Sequence, residues 1–361
     1  MTTTPDAHQL HALVARQQIA QVLATHSRGV DRADFPLLAS AYHPDATVDY
    51  GFFNGAAHEF ARILADAQKG TPVSLHRTSN IWIKVVGERA WSESYVIAYA
   101  EHATEAGAVQ RLIGGRYLDR HSCRDGVWRL DHRRYVMDWN TNRPSTAAWP
   151  EPPVDLGHFV PRGGQGAADA GRALLAAGAA RFSHQGEHAM TAHPTADALD
   201  AALSRQAIHD LMMAYARGVD RADAELLASI FHDDATVISG VVNGSGAEFA
   251  AGITAFVRAN LARSFHSVAN EWIEVAGDKA VAESYVIASI TAGDQDVMTG
   301  GRYVDAFERR AGVWKFTSRT FVMDWSSSQP ASFQSDGMYA ALTTRGCYGA
   351  NDPVYAHWAA R

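Results

Sequence analysis

The sequence predicts an α+β protein made of two copies of one unit, in which three N-terminal helices pack against a curved antiparallel sheet. The motif Arg-Gly-Val-Asp-Arg-Ala-Asp occurs at 28–34 and again at 217–223, and each copy opens a stretch that the other matches in order and spacing. Such self-similarity indicates an internal duplication. In each copy, apolar residues at helical spacing precede long runs of β-branched and aromatic residues, which predict helices first and a sheet second.

A length of 361 residues fits two domains. The segment between them is rich in Pro, Gly and Ala, and its Ala-rich part at 167–180 favours a helix. The C-terminal tail has too many aromatic residues for a solvated coil, so we expect it to pack on a domain, with a pocket mouth as one candidate place. The expected boundaries are domain 1 at 1–145, a linker at 146–202, domain 2 at 203–330 and the tail at 331–361.

The elements of repeat 1 follow from periodicity and turn signals. Apolar residues such as Leu13, Ile19 and Leu23 recur at helix-like spacing in the first helix, and Asp34 suits the N-cap of the second. The expected elements are helices at 10–29, 35–42 and 55–68, a strand at 46–50, and four long antiparallel strands between 72 and 139. Repeat 2 repeats this order, with helices at 206–218, 224–231 and 246–261, a strand at 235–239, and strands between 264 and 325.

Composition narrows the classes of function. Hydrophobic residues make up 47% and charged residues 20%, and no apolar run approaches the roughly 20 residues that span a bilayer. A net charge of −7 without a basic stripe argues against nucleic-acid binding. The two cysteines, Cys123 and Cys347, form neither a disulfide framework nor a thiolate metal site. The N-terminus lacks a signal-peptide pattern, so we expect a cytoplasmic protein that acts on a small molecule, without membrane or nucleic-acid partners.

The first long strand of each repeat places a polar row on one face. Alternation puts an imidazole in each row, and a concave sheet facing helices forms a pocket around it. The two rows are Ser74, His76, Thr78, Asn80 and Trp82 in repeat 1, and Ser264, His266, Val268, Asn270 and Trp272 in repeat 2.

An Asp at the end of each first helix is the natural partner of the imidazole. A carboxylate bonded to one ring nitrogen fixes the tautomer and makes the other nitrogen a general base. The Asp residues at these two helix ends are Asp31 and Asp220. These His and Asp residues lack the close spacing of a metal site, and we expect no metal and no cofactor.

Arg116 and Arg302 are candidates to hold a carbonyl or stabilise an enolate oxyanion in these pockets. The alternative is that they pair with Glu93 and Glu283 across adjacent strands. Aromatic walls suit a ring substrate. The candidate substrate-binding residues are Asn80, Trp82 and Trp139 in repeat 1, and Asn270, Trp272 and Trp325 in repeat 2.

The helix-then-sheet order, the Arg-Gly-Val-Asp motif, the His-x-x-x-Asn strand and the Gly-Gly-Arg-Tyr sequence resemble the SnoaL-like branch of the nuclear transport factor 2-like superfamily, present twice. The resemblance covers about 10–145 and 203–330. It implies cone-shaped domains and eliminations of the scytalone dehydratase and bile acid 7-alpha-dehydratase type, catalysed by an Asp-His pair. Carried onto this chain, the resemblance implies that Asp31 pairs with His76 and Asp220 with His266. It also implies a pocket Tyr five residues before the Asp, which is Tyr215 in repeat 2, while His26 occupies that position in repeat 1. Repeat 2 is the closer match.

The expected activity is therefore a cofactor-independent lyase, a dehydratase acting on a cyclic, steroid-like or aromatic hydroxy compound. An isomerase would use the same residues, and a non-catalytic binding or assembly module is the alternative from another class. Because domains of this superfamily associate through their sheets, we expect an internal pseudo-dimer. Further homo-oligomerisation stays open.

Overall fold

The computed structural model describes residues 7–69, 74–105, 107–145, 164–169, 172 and 196–361, and all structural statements concern these residues. The Ala-rich segment for which the sequence predicts a helix lies mostly outside them. Within them, none of the helices combines the length and the apolar character that crossing a membrane requires.

The fold is α+β, as predicted, and each repeat contributes three helices and six strands. In repeat 1 the elements are α1 (Ala7–Asp31), α2 (Phe35–Ser40), β1 (Tyr42–Asp49), β2 (Asn54–Ala56), α3 (Ala57–Gln68), β3 (Leu75–Val86), β4 (Arg89–Thr104), β5 (Gly107–Arg124) and β6 (Val127–Pro144). In repeat 2 they are α4 (Ala196–Asp220), α5 (Ala224–Ser229), β7 (Phe231–Ile238), β8 (Asn243–Ser245), α6 (Gly246–Asn260), β9 (Arg263–Ala276), β10 (Lys279–Ala292), β11 (Gln295–Arg310) and β12 (Val313–Pro330). A last helix, α7 (Pro353–Ala359), follows in the tail.

Each sheet is mixed rather than purely antiparallel. The strand order is β2-β1-β6-β5-β4-β3 in repeat 1 and β8-β7-β12-β11-β10-β9 in repeat 2. The four long strands are antiparallel, as the turn signals predict, but β1 pairs with β6 in parallel, as does β7 with β12. The short first strand comes before the hairpins in sequence, so the sequence pattern did not define its partner.

The duplicated motif forms the corner between the first two helices of each repeat. Gly29 must be a glycine, because a Cβ there would lie 2.7 Å from the Cα of Leu38 on α2. Ala33 adopts a φ of 50°, and the carboxylate of Asp34 accepts a hydrogen bond from the Leu37 N–H at the start of α2. The corner fixes the end of α1, and with it Asp31, against the sheet.

The two repeats contact each other through β3 and β9. The Asn80 side chain donates to the His266 carbonyl at 2.8 Å and accepts from the Val268 N–H at 2.6 Å. His209 on α4 approaches Glu271 through Nδ1 and the Ile81 carbonyl of repeat 1 through Nε2, both at 2.7 Å. Because both partners are acceptors, His209 must be protonated on both nitrogens.

The pKa of His209 agrees with this assignment. Burial favours the neutral ring, but the hydrogen bond and charge of Glu271 prevail and raise the pKa to about 9. The cationic imidazole thereby links the first helix of repeat 2 to the first long strand of repeat 1.

The C-terminal tail leaves repeat 2 and packs on repeat 1. Met137 on β6 donates its N–H to the Thr344 carbonyl, and the Gly346 N–H donates to the Met137 carbonyl. Tyr339 is fully buried and donates to the Asn142 side chain at 2.8 Å. These contacts place the tail across the open end of the repeat 1 cone.

Candidate functional site

Asp31 and His76 lie in direct contact in repeat 1. Their Oδ1 and Nδ1 atoms are 2.7 Å apart, and the His76 backbone N–H donates to Asp31 Oδ2 at 2.9 Å. The Ser74 hydroxyl donates to Asp31 Oδ1 at 3.0 Å. The carboxylate thus accepts three hydrogen bonds, which hold it in one orientation beside the ring.

Repeat 2 repeats this arrangement. Asp220 Oδ1 lies 2.6 Å from His266 Nδ1, while the His266 N–H and the Ser264 hydroxyl both donate to the carboxylate at 2.8 Å. Burial opposes ionisation of Asp220, but His266 and Arg221 hold its pKa below the usual value. Asp220 is therefore a carboxylate, and His266 Nδ1 is the donor of the bond.

The same bonding fixes the role of the second ring nitrogen in both repeats. Since Nδ1 carries the proton that is donated to the carboxylate, Nε2 of the neutral ring has a free lone pair. The side chains of His76 and His266 keep 18% and 16% of their surface exposed, and His76 lines a cavity. Within the residues described here, no group of three His, Cys, Asp or Glu side chains is placed to hold a metal ion.

A cavity of about 180 Å³ lies beside His76 inside the repeat 1 cone. Its walls are aromatic and aliphatic, and His26 and Gln68 are the other polar residues besides the tyrosines. Met338 and Leu342 complete its outer wall, so the C-terminal tail supplies part of the covering of the repeat 1 cavity. The aromatic part of the wall consists of Tyr50, Phe52, Tyr117 and Tyr135.

His26, for which the sequence predicts a site role, lines this cavity as a neutral ring. Burial, Arg133 and His76 together hold its pKa well below the ordinary value. Among the described residues neither of its ring nitrogens has a hydrogen-bond partner. A buried polar group without a protein partner is available to a ligand.

Arg133 and its counterpart Arg319 were not predicted from the sequence. Arg133 is buried, binds Asp119 through two hydrogen bonds of 2.8 and 2.7 Å, and lies 3.8 Å from the centroid of the Tyr117 ring. Its Nη1 has no partner among the described residues. Arg319 binds Asp305 in the same way. Tyr117 points into the cone, and Asp119 lies two residues further along the same strand and so on the same face. This alternation, together with the occurrence of the Asp and the Arg in both repeats, could have identified the pair from the sequence.

Arg116 and Arg302 do not face the pockets, and this expectation was wrong. Strand alternation directs Tyr117 inward and Arg116 to the opposite, convex face of the sheet. There Arg116 is fully buried and binds Asp138, Asp352 and Glu93. Arg302 binds Asp324 at 3.1 Å and Glu283 at 3.2 Å on the convex face of repeat 2. The alternative of cross-strand pairing with the glutamates is confirmed.

The polar rows are interrupted by a β-bulge, so the substrate-binding expectations for Asn80, Trp82, Asn270 and Trp272 were also wrong. Asn80 and Asn270 have φ angles of 46° and 52°, and the register of the first strand shifts there in both repeats. The extra residue in the bulge exchanges the two faces of the strand, so residues beyond it point to the side opposite to the predicted one. Asn80 consequently binds repeat 2, and the Asn270 and Trp272 side chains line an outer groove between the repeats.

The other tryptophans also lie outside the cones. Trp82 is buried next to Trp358 of α7 and beneath the Arg217 guanidinium. Trp139 packs over Gly114 and against Phe265 of repeat 2. Trp325, its counterpart, packs over Gly300 and is exposed. None of them lines the cavity beside His76; Trp139 instead lines a smaller cleft of about 130 Å³ between the repeats.

Tyr215 occupies the position of His26 inside the repeat 2 cone. It stacks on Phe249 with ring centroids 5.7 Å apart, and the Arg319 guanidinium lies 4.0 Å from its ring. Burial raises its pKa to about 12. The phenol is therefore neutral and lies near Asp220, next to the second Asp-His pair.

The fold and the paired sites define a class of small cone-shaped α+β domains, here present in tandem. A family model for the SnoaL-like domain matches residues 11–134 and 200–320, so the chain belongs to the SnoaL-like family and contains its domain twice.

Each of the similar proteins aligns with about one repeat of this chain. Gamma-hexachlorocyclohexane dehydrochlorinase of Sphingobium indicum is 32% identical over 126 residues, which is 34% of this chain and 81% of that protein. Hexachlorocyclohexane dehydrochlorinase 1 of the same species is 31% identical over 132 residues, or 35% and 86%. Among solved structures, hexachlorocyclohexane dehydrochlorinase LinA-type3 of Novosphingobium barchaimii is 30% identical, with a TM-score of 0.33, over 35% of this chain and 90% of that one.

Proposed function

We propose that this protein is a lyase that eliminates a leaving group from a small cyclic compound in the repeat 1 cavity, using protein side chains alone. The observation that supports this most directly is the contact between Asp31 and His76 beside a cavity with aromatic and aliphatic walls. The carboxylate holds the imidazole so that Nε2 can remove a proton from a ring carbon. The curated relatives carry names of dehydrochlorinases, which are eliminating enzymes.

The proposed step balances without an added reactant. The C–H bond breaks as its proton moves to His76 Nε2, and the C–H electron pair forms the new double bond. The leaving group departs from the adjacent carbon with its own bonding pair, as a halide or as hydroxide. Asp31 stabilises the resulting imidazolium, which later releases the proton to solvent or to the departed group.

Charge that develops on the leaving group needs a donor opposite His76. His26 lines the cavity, and its unpartnered ring can donate one hydrogen bond. Behind Tyr117, Arg133 contributes a fixed positive charge and an unpartnered Nη1. Preorganised donors of this kind stabilise developing charge most strongly in a site that excludes water.

The cavity volume restricts the substrate. At about 180 Å³ it lies below the roughly 300 Å³ at which pockets for drug-sized ligands begin. We therefore propose a substrate with one ring, carrying a halogen or hydroxyl next to an acidic C–H bond. A four-ring steroid skeleton is too large for this cavity.

The test uses the purified full chain with gamma-hexachlorocyclohexane as first probe, followed by single-ring hydroxy compounds, with chloride or water loss read by mass spectrometry. His76→Gln should reduce turnover about 10²- to 10⁴-fold without unfolding the protein. His266→Gln is the matched variant that measures the share of repeat 2. Wild-type protein that binds the probes without converting them would contradict the proposal and favour a binding module. A product of unchanged mass would favour an isomerase.

A further inference from the structure

The outer groove between the two repeats is large enough to hold a small molecule. Its volume is about 820 Å³, within the roughly 300–1,000 Å³ of pockets that bind small ligands. Side chains of α1 and β3 from repeat 1 and of α4 and β9 from repeat 2 line it. Those that decide its chemistry are Leu13, Arg16, Ile81, Arg205, Trp272 and Ile273. Neither Asp-His pair lines the groove, so it is separate from the sites inside the cones.

Equivalent arginines are anchored at this groove in the two repeats. Arg16 Nε donates to the Ile83 carbonyl, and Arg205 Nε donates to the Ile273 carbonyl, each at 3.3 Å. Both bonds join the first helix of a repeat to its first long strand, and they hold the guanidinium groups beside the groove. Because each bond uses Nε, the two terminal amino groups of the guanidinium are left for other partners.

The two arginines differ in their acidic partners. Arg16 lies 3.5 Å from Asp210, and Glu271 forms an ion pair with the cationic His209. Among the residues that the structure describes, Arg205 forms no ion pair, and its Nε bonds only to a neutral carbonyl. The groove therefore keeps one positive charge without an acidic partner, in a chain whose net charge is −7.

Trp272 places a large apolar surface in the same groove. It is 69% exposed, the highest value among the large hydrophobic residues of the described part of the chain. Its counterpart Trp82 is only 8% exposed, because Trp358 and Arg217 pack against it. The Trp272 Nε1–H donates to Glu274 at 3.1 Å, which orients the indole. An exposed indole in a groove with apolar walls is typical of a surface that binds a ligand.

The charge and the indole together select the chemistry of the ligand. A guanidinium with two available amino groups matches a carboxylate, which accepts two parallel hydrogen bonds. A phosphate monoester carries up to about two negative charges, and Arg205 alone would leave part of this charge unpaired. The indole matches an aromatic ring, which it can stack on or contact edge-to-face. An aromatic carboxylate satisfies both features.

We propose that the outer groove binds an aromatic carboxylate of one or two rings. Arg205 holds the carboxylate, Trp272 contacts the ring, and Leu13 and Ile81 of repeat 1 cover the opposite side of the ring. Burial of these apolar side chains against the ring favours binding, and the charge on Arg205 selects an acid over a neutral compound. Because both repeats contact the same ligand, neither repeat alone forms the site.

The test is calorimetric titration of the full chain with 2-naphthoate, and with 2-naphthamide as a neutral probe of the same shape. The wild type should bind 2-naphthoate with a dissociation constant of about 1 mM or lower, and 2-naphthamide about tenfold more weakly, because the amide lacks the charge that pairs with Arg205. Arg205→Gln should remove this difference by weakening only the acid. Trp272→Ala should weaken both probes about tenfold, because both contact the indole through the same rings.

Two matched variants control for effects outside the groove. Arg310→Gln and Trp325→Ala also replace an exposed arginine and an exposed tryptophan of repeat 2, but neither residue lines the groove, so both should bind the probes like the wild type. Circular dichroism verifies that every variant folds.

Three results would overturn the proposal. One is a wild type that binds neither probe at millimolar concentration, and another is equal affinity for the acid and the amide. The third is full affinity for 2-naphthoate in both Arg205→Gln and Trp272→Ala, because the probe would then bind in a cone or at another surface.

Discussion

Replacing Asp31 with Asn tests the proposed base through its tautomer. Asp31 Oδ2 accepts the His76 backbone N–H, while Oδ1 is shared by the His76 ring and the Ser74 hydroxyl. Asn has one acceptor oxygen. The backbone N–H can only donate, so it retains that oxygen, and the Asn amide group then faces the ring. His76 can bond to this amide only if Nδ1 accepts, which moves the ring proton to Nε2.

A proton on Nε2 removes the lone pair that the elimination requires. The equivalent loss of tautomer in a catalytic triad reduces turnover by about 10⁴-fold, and we expect Asp31→Asn to approach this value. The stability cost is smaller, about 1–3 kcal/mol, because the size and burial of the side chain are unchanged and only the hydrogen bonds are mismatched. Asp31→Asn should therefore lose most of its turnover while the protein remains folded.

The assay combines turnover on the probe compounds with nitrogen NMR of the labelled His76 ring, which distinguishes the two tautomers. Asp220→Asn makes the same change in repeat 2 and serves as the matched variant. If Asp31→Asn shifts the proton to Nε2 and turnover survives, His76 is not the base. If turnover is lost but the tautomer does not change, the carboxylate acts in another way.

Two further predictions concern stability. The pKa of His209 rises from its ordinary 6.5 to about 9 in the folded protein. Protonated His209 should therefore contribute up to about 3 kcal/mol to the free energy of unfolding, fully below pH 6.5 and no longer once the pH has risen through 9. Chemical unfolding measured between pH 6 and 10 should show this loss, and the His209→Gln variant should lack this pH dependence. Gly114→Ala should destabilise the protein by about 1–3 kcal/mol, because the new Cβ would lie 2.0 Å from the buried Trp139 ring. Gly300→Ala creates the same clash with Trp325, but that ring is exposed and can move, so an equal loss of stability in both variants would contradict this reasoning.

The fold could be predicted because its determinants are local. The motif around Gly29 determines the corner between α1 and α2, and hydrophobic periodicity defines α3 and the hairpins. The start of α4 at Ala196, ten residues before the predicted start, could not be predicted, since the preceding residues have little apolar periodicity. The parallel pairing of β1 with β6 depends on contacts between distant parts of the chain, which short-range patterns do not encode.

Strand alternation predicted correctly which face each side chain occupies up to the bulges, and incorrectly beyond them. His76 and Thr78 were placed correctly on the concave face, because the strand is regular up to that point. The left-handed residue at Asn80 reverses the parity, and no Gly marked the position in the sequence. Arg116 was predicted to face the pocket because of its charge, but strand alternation directs it to the face opposite its neighbour Tyr117.

The concave and convex faces of these sheets are determined by different contacts, which explains why one was more predictable than the other. Asp31, Ser74 and His76 belong to a single repeat, so the duplicated sequence yields the same bond network twice. Tyr95 and Tyr285 depend on what lies across from them in another repeat, and identical side chains are buried in one case and open in the other. A duplicated sequence therefore reports reliably on sites formed within a repeat. For surfaces formed between repeats it does not report whether another part of the chain covers them, as the different exposure of Tyr95 and Tyr285 demonstrates.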